Sequence, residues 1–207
     1  FISEKISFDF DDDRSWQSYV SANRMEITCG EAPYLVSRYD AVSGEFIPLE
    51  KRIGLLDRKL RKVSENIFEE SEWLKWAEIS FKSVYGYEFQ GDNLFLARKN
   101  LFLTFGEYYE DKFKKLPDEN SLKNIAKIIS WNLWQMDGLK GIVPYSDEQE
   151  KKENISLLDD KRNYSERISD TKSRNKDNFR INCKIKDWNT GKEKDFVNLG
   201  VNEHEEN

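Results

Sequence analysis

The run Met25-Glu26-Ile27-Thr28-Cys29-Gly30-Glu31-Ala32-Pro33-Tyr34-Leu35-Val36-Ser37-Arg38-Tyr39 constrains the fold more than any other stretch. A short apolar run carries an acid, breaks at a glycine turn and reopens as a periodic apolar segment. That pattern is how a β-strand hands over to a helix at a ligand-binding edge. Glycine at the turn lets backbone amides approach a ligand, and the free N–H groups of a following helix would point at the same spot. Glu26 would then hold an amino group or a hydroxyl. Read alone, Gly30 is an ordinary loop glycine sooner than a ligand cradle, because Ala32-Pro33 replaces a second glycine.

The rest of the chain alternates helical and strand patterns. Ile2, Ile6, Phe8 and Phe10 alternate ahead of Asp11-Asp12-Asp13, which suits an edge strand or a tail tied down by aromatics, and a helix is expected from near Ser15. Beyond a turn at Gly44, Ile53, Leu56, Leu60 and Val63 fall at helical spacing. Lys51, Arg52, Arg58, Lys59, Arg61 and Lys62 occupy the other faces, as a phosphate-touching element or a solvated face. Trp73, Leu74, Ala77 and Phe81 predict a second helix, and Val84-Tyr85-Gly86-Tyr87-Glu88-Phe89 predicts a strand with an acid at its end. A helix over 92–105 continues with charge until Pro117, and another spans 121–129. Residues 146–180 carry too few apolar side chains to offset ordering entropy and read as a flexible linker or insertion. Segments 181–188 and 195–199, joined through Asn189-Thr190-Gly191, predict a β-hairpin followed by an acidic tail.

Three of these stretches, in order, resemble the motifs of S-adenosylmethionine-dependent DNA adenine-N6 methyltransferases of restriction-modification systems. Glu26-x-x-Cys29-Gly30-Glu31-Ala32-x-Tyr34-Leu35 resembles the first motif. Tyr85-Gly86-Tyr87-Glu88 with Ala97-Arg98-Lys99-Asn100-Leu101 resembles the second, and Asn132-Leu133-Trp134-Gln135-Met136-Asp137-Gly138-Leu139 the third. The resemblance covers roughly residues 14–141. It implies an α/β fold with a Rossmann-like class I methyltransferase sheet and flanking helices, to which the C-terminal β-hairpin is added. The domain would span 1–145 with a helical insertion near 44–83, followed by the linker at 146–180 and the hairpin with its tail at 181–207.

The resemblance implies S-adenosylmethionine as cofactor, bound by Glu26, Thr28, Cys29, Gly30, Glu31, Ala32, Glu88, Phe89, Asp137 and Gly138. Glu88 would take the ribose hydroxyls and Asp137 the adenine amine, with Trp131 and Trp134 as candidate flanks of the ring or, as tryptophans at such spacing more often are, as core side chains. Asp57 competes with Glu88 on spacing, since a ribose acid usually follows the glycine loop by about 20 residues. The family's Asn/Asp/Ser-Pro-Pro-Tyr/Phe loop is absent: the four prolines are isolated, and Val143-Pro144-Tyr145 is the nearest string. The catalytic residues are therefore unknown. The expectation is a cofactor-binding methyltransferase, or the cofactor-binding part of one. The alternative is a non-catalytic methyltransferase-like protein that binds a partner protein in restriction, defence or counter-defence.

Composition narrows the partners. A net charge of −6 excludes a general nucleic-acid coat, so any contact with double-stranded DNA is local, through the region 51–62. Cys29 and Cys183 lie far apart and the sole histidine, His204, sits in the acidic tail, so neither a metal site nor a Cys/His nucleophile is expected. Lys184, Lys186 and Asp187 fit a nuclease poorly. No run reaches the length of a membrane span, and a reduced, cytoplasmic protein is expected. A chain that opens at Phe1 suits a fragment or a processed product.

Overall fold

The computed structural model describes residues 16–40, 42–146 and 181–199. The expectations for residues 1–13, for 147–180 and for the tail after 199 lie outside the described residues. Helix α1 (Trp16–Ser21) leads into strand β1 (Arg24–Ile27), and a single 3-10 turn (Leu49–Lys51) precedes α2 (Leu55–Asn66) and α3 (Glu70–Lys82). Then come β2 (Val84–Glu88), α4 (Gly91–Phe113), α5 (Glu119–Asn132) and β3 (Leu133–Gln135). Strands β4 (Lys184–Lys186) and β5 (Glu193–Asp195) form an antiparallel pair. The expected hairpin is present with shorter strands, because Asp187 caps the turn early through Asn189 and Thr190, and residues 196–198 coil into a 3-10 turn.

The fold is α/β, with a parallel sheet in the order β1-β2-β3. Stepping in one direction through right-handed crossovers puts the connecting helices on one face. Alternation along β2 divides the core accordingly. Val84 joins the large cluster built from α1 to α5, while Tyr85 and Tyr87 face Cys183, Ile185 and Phe196 of the hairpin region. Segment 44–83, expected as an insertion, forms the β1-to-β2 crossover itself and buries Leu56, Leu60, Val63 and Trp73 completely. Helices α3 and α5 start where a side chain satisfies their free amides. Glu69 accepts from Ser71 and Glu72, and Asp118 accepts from Asn120 and Ser121. Helix α4 stops at Lys114, which takes a left-handed conformation with φ 56°.

The cations around α2 are spent inside the molecule. Arg38 and Arg52 both pair with Glu107 on α4, and Arg61 donates to the carbonyls of Leu49 and Arg52. Lys59 is 1% exposed and donates to Ala22 O and Ser83 Oγ, tying together the turns that lead into β1 and β2. Lys62 pairs with Glu65 at 2.9 Å. Of the cations over 51–62, read as a phosphate-touching element or a solvated face, Arg52, Lys59 and Arg61 thus form an internal scaffold, while Lys51 and the Lys62–Glu65 pair stay at the surface.

A buried asparagine pegs the hairpin layer to the sheet. The Asn132 amide donates to the carbonyls of Phe81, Lys82 and Val84, and its oxygen accepts from Trp188 Nε1 at 2.7 Å. Trp131 lies at this amino-terminal end of β3, with Lys186 over its ring, and Trp134 belongs to the hairpin-facing cluster. Neither stands at the carboxyl rim of the sheet, because α5 ends and β3 begins there, so the ring-flanking role is corrected.

No described helix is long and apolar enough to cross a membrane, and no cluster of three or more His, Cys, Asp or Glu among the described residues could hold a metal ion.

Candidate functional site

The segments that follow β1, β2 and β3 meet at the carboxyl rim of the sheet. The Gly30 amide donates to Glu88 Oε2 at 2.8 Å across 58 residues of sequence, and the Gln90 amide donates to Oε1 at 3.0 Å. Met136 N–H donates to Glu88 O at 2.9 Å. The third segment then reaches over β2: a methyl placed on Gly138 would stand 2.6 Å from Ile27 Cγ2 and 3.9 Å from Thr28 Oγ1. Only glycine allows that approach.

The loop after β1 is held in an uncommon conformation. Thr28, Gly30 and Ala32 have φ of 64°, 56° and 66°, and positive φ is a genuine outlier for a β-branched threonine. Clasps from three elements maintain it. Glu88 grips Gly30 from β2, Asn100 Nδ2 on α4 donates to Glu31 O at 3.0 Å, and Tyr39 OH donates to the Glu31 carboxylate. Asn100 and Tyr39 were not singled out as site residues, although Asn100 stands in the second motif-like stretch. The helix expected to follow Gly30 is absent: residues 31–39 form turns, with Leu35 and Val36 both donating to Ala32 O. Pro33 and the left-handed Ala32 prevent the chain from continuing helically. The rim therefore offers loop amides rather than a helix N-terminus.

Two acids face each other beneath this loop. Glu26 Oε2 is buried with no hydrogen-bond partner among the described residues. Burial first, and the Glu88 charge second, push the Glu26 carboxyl up to about 7. Burial, followed by the same two carboxylates, pushes the Cys29 thiol up to about 12, which removes it as a nucleophile at neutral pH. Both Glu88 oxygens already accept from backbone amides, and the residue is 4% exposed, so its first role is to close the loop. Asp137 uses Oδ1 to accept from the Leu139 and Lys140 amides, and its Oδ2 lies 3.7 Å from Lys140 Nζ. Its carboxylate folds its own turn, a departure from the amine-facing role. Phe89 packs against exposed Tyr145 with ring centroids 5.3 Å apart, and Tyr145 carries a φ of 63°. Asp57, the competing acid, is fully buried and accepts from Ser37, away from the rim.

The geometry suits a ligand that brings a donor to Glu26. An ammonium or hydroxyl would satisfy Oε2, and nothing lies within 4 Å of the point where a Gly30 side chain would stand.

Glu26 and Lys59 fix opposite pH dependences. Glu26 binds its proton more tightly folded than unfolded, so its contribution to stability is complete below about 4.5 and is lost as pH rises to about 7. Burial lowers Lys59 from 10.5 to about 7, so the unfolded chain binds more protons between those values and stability rises with pH there. Urea titrations from pH 4.5 to 10 are expected to show a trough near neutrality. Glu26→Gln removes the acid-side slope and Lys59→Met the alkaline one.

No family model, no curated protein and no solved structure matches this chain.

Proposed function

We propose that the chain binds S-adenosylmethionine at this rim, as a DNA adenine methyltransferase relative, or its cofactor-binding part, from a restriction-modification system. The sheet then belongs to a Rossmann-like class I methyltransferase. One observation carries the reading: the Gly30 amide meets the Glu88 carboxylate at the ends of adjacent parallel strands. Two motif-like stretches 58 residues apart in sequence thereby meet at one rim. The orphaned Glu26 Oε2 fits the ammonium of the cofactor's amino acid moiety, and the remaining lone pairs of Glu88 fit ribose hydroxyls. When bound, the cofactor supplies a methyl group on a sulfonium sulfur. This chain's residues hold and orient it, and Phe89 with Tyr145 adds an apolar wall. No catalytic residue is assigned, because no two prolines are adjacent and no polar-Pro-Pro-aromatic loop is present. Any DNA contact is local and does not use the internal cations of α2.

A second reading is a methyltransferase-like protein that recognises a partner protein; the missing loop and the net charge of −6 favour it. Calorimetric titration with S-adenosylmethionine and its demethylated product separates the two. Saturable heat that vanishes in Glu26→Ala and Glu88→Ala supports the cofactor reading, and no heat at millimolar ligand leaves the second. Transfer of tritiated methyl groups to unmodified DNA then tests catalysis.

A further inference from the structure

Strand β1 pairs with β2 on one side and has no ladder partner on the other among the described residues. The Arg24 amide donates to Ser83 O at 2.8 Å, which sets the alternation of the strand. The backbone groups of Arg24 and Glu26 face β2, and those of Met25 and Ile27 face outward. On the hairpin side Met25, which shares a cleft with Ile185 and Lys186, is 39% exposed, and Ile27 is 46% exposed. An open, partly apolar edge of this kind is a template for another strand.

The triplet Arg24-Met25-Glu26 specifies which strand fits. In an antiparallel pair, an outward-facing residue exchanges both backbone hydrogen bonds with its opposite number. Centred on Met25, two copies of β1 would place Arg24 opposite Glu26 and Glu26 opposite Arg24, both on the helix-facing side, with Met25 against Met25 on the other. Centred on Ile27, the same strands would set Glu26 against Thr28 and leave both charges without opposites. Only the first register is complementary in charge, and it brings a guanidinium to the edge where Glu26 Oε2 has no partner. Arg24 is exposed, and among the described residues its guanidinium donates only to the neighbouring Asn23 carbonyl.

We propose that a second copy of this chain pairs with β1 antiparallel about a two-fold axis at Met25, joining two three-stranded sheets into one of order 3-2-1-1-2-3 with reciprocal Arg24–Glu26 pairs. The proposal does not need the rim to bind a cofactor, and a ligand held by Glu26 would compete with the pairing. Four residues make a short edge and the chain's net charge opposes association, so a weak, reversible dimer is expected.

Sedimentation of the full chain over about 10–300 µM tests it, in the range of weak interfaces. The expected result is a monomer–dimer equilibrium that Arg24→Glu weakens at least about tenfold, since it sets like charges opposite each other twice. The exchange Arg24→Glu with Glu26→Arg should restore association to within about threefold. In the unaltered chain, amide exchange at Met25 should slow as concentration rises, while exchange at Glu26, which faces β2, stays constant. A monomer throughout, or a dimer indifferent to Arg24→Glu, would overturn the proposal. Concentration-independent exchange at Met25 would do the same without any variant.

Discussion

Trp73→Ala is expected to lower stability by about 3–5 kcal/mol, the usual cost of emptying a large buried site. That is a large part of the roughly 5–15 kcal/mol available to a typical domain. Trp73 is fully buried where α2, α3 and α4 meet, with its ring against Phe105, Tyr109 and Phe113, and its Nε1 donates to Ser64 Oγ. No neighbouring backbone can collapse into a volume walled by three helices. Urea denaturation followed by tryptophan fluorescence and far-UV circular dichroism measures the loss. Trp73→Phe keeps most of the volume and forfeits the Ser64 bond, at about 1–2 kcal/mol. A Trp73→Ala loss below that of Trp73→Phe would show that the three helices do not share one core.

Glu88→Ala acts on stability and site together. It strips the charged acceptor from the Gly30 and Gln90 amides, and at about 1–3 kcal/mol for each unsatisfied donor the cost is about 2–6 kcal/mol. Glu88→Gln is expected to be no rescue, because a carboxamide offers one acceptor and turns a donor toward the second amide. With Glu88 neutralised, the Glu26 carboxyl should titrate lower, though still above its ordinary value, since burial is the larger cause of its shift. Denaturation midpoints measure the stability change and carboxyl carbon NMR the titration. If the rim binds S-adenosylmethionine, affinity should fall at least a hundredfold, about 2.7 kcal/mol, once the loop loses its clasp. An unchanged Glu26 titration in Glu88→Ala would separate the two acids and remove the geometric basis of the site.

The parts of this architecture that depend on neighbours in sequence were legible. Helical spacing placed α2 to α5, and the run from Val84 to Glu88 announced a strand ending in an acid, which the structure buries throughout. Glu26 and Glu88, read as acids near strand ends, do lie at one rim, because parallel strands deliver their carboxyl ends together. What misled was governed by distant partners. The cations of residues 51–62 look like a solvated stripe until Glu107, 55 residues beyond Arg52, folds beside them. The periodic segment from Leu35 to Tyr39 looks helical, yet Asp57 captures the Ser37 amide and Tyr39 turns back to Glu31. Asp137 looked like a ligand acid, and the turn that follows it takes up one of its oxygens.

The Asn132 peg has an evolutionary corollary. One carboxamide serves three carbonyls on one side and the Trp188 indole on the other, so its donors and its acceptor are satisfied by separate layers. A lone exchange at either position strands a polar atom in a dry seam. Among natural variants, Asn132 and Trp188 should therefore change as a couple, and a lineage that lost the hairpin would be released to place an aliphatic residue at 132.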